Sequence, residues 1–564
     1  MREWLRETHG PNFELLRHFL LRFFDSDMVT APGQTATALI GAFSIFLPWF
    51  PTIVGPLRHK YAYFSSLAIP GPYRQAVRAD ELWLITLMMS AIGLLTAVKW
   101  QSLFPGLSDY RALGSLPLRA RQIFAAKLLA LLVLATAAVV TFNLLPALMF
   151  PSVSMSRWAF HQSAGGQIIA HAAASVSGCY FFFFGMVALQ GVLLNLLRPR
   201  QFARVTGYLQ GLLVGAMVIL IVLSFSIQAQ ITNTVIRPEF ARWLPPVWFL
   251  GLHQSMAGDP DPWMQTLAYR AWAALGIAVG LILVTYIVSY QRHRTLLVEG
   301  VAVRGKDRRW QGIVFDWWVP DPRKQAVIVF LTKTLTGSSQ HRMILMGYGG
   351  FGLAVFLSGI VAMREMVEPA RMDTANFVYA HVSLLIFLLL GVRHLFTMPI
   401  ELKANWAFQI TEGEGRRQWL SAVDRFVLFP GATVMLLLPL PLEVRLLGWR
   451  AVAEAVLLAA FALLCYEWVF ASWEKLPFTC SHLPGKTPTW ILSLQLLGLF
   501  VLFPIVNGIL LACLYNRTAF AAVLIILVAA WARLRTSRRE GWGHLRLKYE
   551  ELPDPAIHSL NLLK

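Results

Sequence analysis

The chain has 564 residues, of which 57% are hydrophobic and only 14% charged, with a formal net charge of +19. Soluble domains carry roughly 25% charged residues, so this composition excludes a water-soluble globular protein; the mean hydropathy is +0.57. The positive charge does not make nucleic acid the expected partner, because Lys and Arg of membrane proteins gather in cytoplasmic loops and beside anionic lipid headgroups.

Apolar runs of about 20 residues recur along the whole length, each long enough to cross a bilayer as a helix. They lack the alternation of barrel strands. Only helices or closed barrels satisfy their backbone in lipid, so the fold class expected is an all-α polytopic membrane protein. The four cysteines, Cys179, Cys465, Cys480 and Cys513, have no metal-ligand spacing and read as small membrane-helix residues. The opening "MREWLRETHG" is charged and carries no short apolar core, which reads as the absence of a cleavable signal peptide.

In chain order, "PNFELLRHFLLRFFDSDM" (11–28) places Phe13, Leu16, Leu20, Phe23 and Phe24 on one helical face and Glu14, His18, Arg22 and Asp25 on the other. That pattern predicts a helix lying in the membrane interface. Spans are expected at about 34–57, 81–98, 124–150, 166–196, 206–228 and 267–290. A polar, basic linker follows, and further spans are expected at about 343–363, 377–396, 425–447, 450–472, 490–513 and 518–534. The reading is therefore about 12 transmembrane helices in two six-helix halves, each preceded by an interfacial or approach segment. The halves cover 1–290 and 343–534, with a cytoplasmic linker and approach segment at 291–342 and a cytoplasmic tail at 535–564.

Lys/Arg counts place both termini on the cytoplasmic side of the inner membrane. Segment 151–165, with Arg157 alone, and the aromatic-rich 229–266 fall outside. Residues 58–80 dissent: they carry Arg58, Lys60, Arg74 and Arg78 yet should be external. Either the first span is re-entrant or these charges sit at the far interface.

Two stretches come near a phosphate-binding loop. "CSHLPGKT" has Cys480 where the first Gly belongs, and "GVAVRGKD" has Asp307 where a hydroxyl is needed. Neither sits in a segment long enough for a nucleotide-binding fold, so ATP hydrolysis by this chain is not expected. Among polar residues within spans, Glu467 is a candidate intramembrane site, close enough to the cytoplasmic end to snorkel. His171 and His381 read as isolated residues making helix-packing hydrogen bonds, and Arg270 as an anchor at the outer end of its span. No Ser/His/Asp set, zinc pattern or carboxylate pair stands out, and neither cofactor nor metal is expected.

The polar loops between the second and third spans of each half, 99–123 and 397–424, are the main candidates for function. In the first, Asp109 and Arg111 open a short helical stretch whose apolar side is Leu113, Leu116 and Leu118. The interfacial helix and "SDYRALGSLPLRARQIFAAKLLA" resemble the elbow helix and coupling loop of a type-2 ATP-binding-cassette (ABC) exporter permease. "LPPVWFLGLHQSMAGD" (244–259) is similar to the extracellular segment before the sixth span of that family. The resemblance covers the first ~290 residues best. "IELKANWAFQITEGEGRRQWLSAVDR" and "KLPFTCSHLPGKTPT" in the second half depart from it. It implies a permease subunit of an exporter, driven by a separate cytoplasmic ATPase and open to further membrane subunits. Docking would fall on Asp109, Arg111, Leu113, Leu116 and Leu118, and in the second half on Glu401, Asn405, Trp406, Phe408 and Glu412. The rival readings are an ion-gradient-driven transporter, which wants acids deep in the spans, a non-transporting membrane scaffold, and a transferase acting on lipid-linked substrates.

Overall fold

A computed structural model describes residues 12–21, 54–105, 109, 113, 116, 118–160, 163–230, 242–296, 319–363, 372–399, 405–412, 416–437, 439–471, 473, 475–479, 503–542, 547 and 549. Among them there is no strand, and nine helical stretches, counting the interrupted Arg417–Leu447 as one, are long and apolar enough to cross a membrane. The protein is an all-α, multi-pass membrane protein. Of the expected spans, 34–53 and 490–502 lie outside the described residues, as do both near-miss phosphate loops; residues 54–66 are helical, past the end expected at 57. The chain divides into two units, Met1–Arg304 and Gly305–Lys564.

In unit 1 the central helix is α1 (Gly71–Val98), with Pro at its first turn and 78% of its apolar window buried. It begins ten residues before the span expected at 81. Arg74, Arg78, Asp80 and Glu81 all lie in this added stretch or at its edge, yet each carboxylate has a partner inside the fold and the helix runs through them. Around α1 stand α2 (Ala120–Ser154), α3 (Ala164–Leu196) and α4 (Pro199–Gln230). Ser163 caps α3 by accepting from the Gly166 N–H at 3.2 Å.

The short α5 (Pro245–Met256) wedges against α1, α3 and α6 (Pro262–Leu296), burying Val247, Phe249, Leu250 and Leu252. At Gly251 an added Cβ would come within 2.3 Å of Leu267 Cβ, so only glycine allows α5 to lie this close to α6. The end of unit 1 holding residues 58–80, 151–160 and 245–262 is called distal below. The opposite end, with residues 12–21 and 99–121, is proximal.

In unit 2, Asp321 caps α7 (Pro322–Gly337) by accepting from the Arg323 N–H at 3.0 Å. Next come α8 (Ser339–Met363), which packs on α9 (Met372–Phe396), and the short α10 (Asn405–Thr411). The span expected at 425–447 is not one helix. It starts earlier as α11 (Arg416–Ala432), passes through a π turn at Thr433–Leu437, and restarts as α12 (Leu440–Leu447). Pro430, Pro439 and Pro441 lack the N–H that continuous helical bonding needs, so the helix breaks among them. Then α13 (Trp449–Val469) packs on α9 and on α14 (Arg517–Gly541), which extends seven residues past the expected end at 534. A core of Leu331, Phe396, Trp419, Tyr466, Phe470 and Phe478 joins α7, α9, α11 and α13.

Candidate functional site

At the proximal end of unit 1, Leu15 and Phe19 of helical residues 12–21 are buried against Leu113 and against Ile123, Ala126 and Ala130 of α2, with Leu118 packed alongside. The Lys127 ammonium lies 4.8 Å from the centre of the Phe19 ring. The buried stripe is therefore Leu15 and Phe19, four residues apart, rather than the face through Phe13, Leu16 and Leu20, which stays partly exposed. Leu16 and Leu20 flank this stripe and pack against the same cluster while staying partly exposed.

The proposed docking residues separate by exposure. Leu113 and Leu118 turn inward onto the proximal helix and Asp109 is buried, whereas Leu116 is 50% exposed. The expected single apolar side is thus divided, because the helix of residues 12–21 already occupies the positions of Leu113 and Leu118. In unit 2, Asn405 is buried and donates from Nδ2 to the Thr479 carbonyl at 2.7 Å. Phe408 packs edge-on between Phe330 and Trp419, at 5.0 and 6.0 Å between ring centres. The Glu412 Oε1 accepts from the Leu547 N–H at 3.4 Å. Trp406, by contrast, is 63% exposed. Arg111 and Glu401 lie outside the described residues.

The distal end of unit 1 holds a polar cluster that sequence reasoning missed. Glu81 on α1 is wholly buried; its Oε1 lies 2.8 Å from Nδ1 of His171 on α3 and 3.8 Å from Nε2 of His253 on α5. Burial pushes the His253 pKa down; Glu81 opposes that and His171 adds to it. Beside it, Asp80 accepts from Lys60 Nζ, at 2.8 Å to both oxygens, and from the Tyr61 hydroxyl at 2.6 Å. Arg78 pairs with Asp259 and lies 3.9 Å from Asp261. These acids answer the puzzle of residues 58–80, since Lys60 and Arg78 are neutralised in place. Arg74 stacks over Phe160, 4.1 Å from its ring centre.

A cavity of about 20 Å³ opens beside this cluster, lined by Tyr73, Trp158, Gln167, His253 and Gln254 among others. That is enough for about one water.

Unit 2 has its own buried carboxylate–imidazole group. His381 on α9 lies between Glu454 of α13 (3.2 Å, Nδ1) and Glu443 of α12 (3.2 Å, Nε2). His171 and His381 are therefore not isolated, and Glu443 and Glu454 form the carboxylate pair that the sequence did not reveal.

Glu467 does not snorkel. It is fully buried, with Oε1 2.6 Å from Arg535 Nη1 and Oε2 2.8 Å from Arg538 Nε, both on α14. Arg538 also reaches Asp424 at 2.6 Å, which in turn accepts from the Tyr466 hydroxyl at 2.7 Å. Two acids face two guanidinium groups, so the network is neutral. Arg270 donates to the Arg242 carbonyl at 2.9 Å, tying α6 to the segment before α5.

No protein-family model, curated protein or solved structure matches this chain.

Proposed function

We propose that the chain is the membrane-spanning permease subunit of an ABC-type exporter, with both termini on the cytoplasmic side and its energy supplied by a separate ATPase subunit. The observation that carries this reading is the packing of Leu15 and Phe19 on Leu113 and the start of α2. A partner that pushes on segment 109–118 then pushes on the interfacial helix and on α2 together, instead of flexing a free loop. The buried helix α5, placed just before α6, supports the same reading, because the segment before the sixth span is one of the places where the sequence resembles these permeases.

Among the described residues of the two candidate loops, Leu116 in the first and Trp406 and Ile410 in the second are exposed apolar side chains. Exposed aromatic and aliphatic anchors of this kind commonly dominate association energy once buried by a partner. Closure of the ATPase would move the loops, and the half-bundles would change their tilt, if the partner binds the two states with different affinity.

The test is purification of the tagged full chain from its native membranes in mild detergent. The reading expects an ATP-binding subunit to co-purify at a fixed ratio, with vanadate-sensitive ATP hydrolysis that the chain alone lacks. Purification of the chain with no ATP-binding protein, under conditions that keep it folded, would exclude it.

A further inference from the structure

We propose that Glu81, His171 and His253 form a proton-binding site, in which the proton rests on the Glu81 carboxyl and arrives from the distal cavity through His253. The proposal does not rest on the ATPase reading, since a proton site is compatible with either energy source.

The carboxylate is wholly buried, and a lone buried charge is among the costliest groups in a membrane protein. His171 satisfies one oxygen, but Glu81 Oε2 and His171 Nε2 have no hydrogen-bond partner. One acid against two imidazoles is neutral only if one proton is added beyond the neutral histidines. With the proton on the carboxyl, none of the three buried side chains is charged, and Oε2, which no donor faces, carries no negative charge.

The neighbouring charges are already committed. Asp80 is held by Lys60 and Tyr61, Arg78 by Asp259 and Asp261, and Tyr73 donates to the Ser154 carbonyl at 2.6 Å. Arg74 lies on Phe160, and Arg270 of α6 donates to the Arg242 carbonyl. From α2 the near side chain is the Phe150 ring, 5.8 Å from that of His171. On α4 the titratable residues, Arg200, Arg204 and Tyr208, all fall in its first ten positions, at the proximal end. Tyr269 of α6 is exposed, and on α3 Cys179 lies two turns beyond His171, beside Asn143.

The His253 ring has the connectivity of a relay. Its Nδ1 is 3.2 Å from the Gln254 amide nitrogen, a donor, so Nδ1 accepts and the ring proton sits on Nε2, facing Glu81. Both His253 and Gln254 line the cavity. The Gln254 amide first swings off Nδ1; a proton from cavity water then bonds to Nδ1, the Nε2–H bond breaks, and the released proton forms an O–H bond on Glu81. The ring ends neutral in the other tautomer and the carboxylate becomes a carboxylic acid. The 3.8 Å gap lies beyond hydrogen-bond reach, so the step needs a small ring rotation or one intervening water.

The experiment is infrared difference spectroscopy of the full chain in lipid nanodiscs, following the carboxylic-acid carbonyl band during acidification. Wild type should gain a band at a frequency typical of an apolar environment, and Glu81→Gln, which keeps the size and the bond from His171, should lack it. His253→Gln should retain the band at equilibrium but form it more slowly after a pH jump, by about tenfold or more if the imidazole is the relay. Absence of any such band, its persistence in Glu81→Gln, or unchanged kinetics in His253→Gln would each overturn the proposal. If Glu81→Gln does not fold, the kinetics of His253→Gln decide alone.

Discussion

Glu81 and His171 meet at 2.8 Å between α1 and α3, the second and fourth expected spans of the first half. In unit 2 the helices at the same two ordinal positions, α9 and α13, bring His381 to within 3.2 Å of Glu454. The partners are exchanged: acid then histidine in one half, histidine then acid in the other. Each residue falls in the first half of its helix. Each unit thus holds a buried carboxylate–imidazole contact between two of its helices.

Arg535 and Arg538 each face both Asp424 and Glu467, but Arg538 is the more buried and the closer to Asp424, so it is the member of the unit 2 network whose loss costs most. Its side chain is 8% exposed and contacts both Asp424 and Glu467, whereas Arg535 is 20% exposed. Arg538→Ala should destabilise the chain by about 3–5 kcal/mol, because two buried carboxylates lose a guanidinium. Arg535→Ala should cost clearly less. Thermal unfolding of the purified variants checks the ranking, and equal costs would show that the network is not centred on Arg538.

The distal site of unit 1 sets a pH slope. Burial lowers the His253 pKa below its ordinary 6.5. The unfolded chain therefore binds the proton more readily than the folded one. Stability from this group is complete above the unfolded value and falls as pH drops from there towards the folded value. His253→Gln removes the titration, so the difference in unfolding temperature between wild type and variant should shrink in wild type's disfavour as pH falls below about 6.5. A difference independent of pH between 5 and 8 would refute the assignment; that window brackets an ordinary histidine.

Membrane sidedness is open to direct labelling. In a background with the four native cysteines replaced, Ala164→Cys and Gln265→Cys should react with an impermeant thiol reagent in intact cells, whereas Gln409→Cys should react only after permeabilisation. All three positions are exposed and none is a glycine with a left-handed backbone. Labelling of Gln409→Cys in intact cells would invert the topology.

Much of this architecture is legible in residue order because a bilayer forces apolar runs to be helices. The proximal helix at 12–21 follows from a local pattern, whereas 245–256 read only as part of an aromatic-rich external segment and its burial as α5 did not show. The carboxylate–histidine groups did not show either, since Glu81 and His171 lie 90 residues apart and His381 and Glu454 lie 73 apart. Asp80–Glu81 also read as a span boundary, because pairing partners cannot be seen from sequence and an unpaired acid would indeed end a span. The break between α11 and α12 was marked by Pro430, Pro439 and Pro441, yet the surrounding leucines carried the hydropathy across it.

Burial separates two leucines of the first candidate loop. Leu113→Ala should cost about 2–5 kcal/mol of stability, since it empties a site packed by Leu15 and Phe19. Leu116→Ala should leave the unfolding temperature unchanged, because its side chain is half exposed. Comparable losses for both would place Leu116 in the core after all.

The most direct test of the permease reading is to place a photo-crosslinking amino acid at Leu116 and, separately, at Trp406, and irradiate native membranes. Both positions should yield one covalent adduct with the same ATP-binding subunit, and a crosslinker at Leu113 should yield none. Adducts to lipid or to unrelated proteins only, at both exposed positions, would contradict an ATPase docked on these loops.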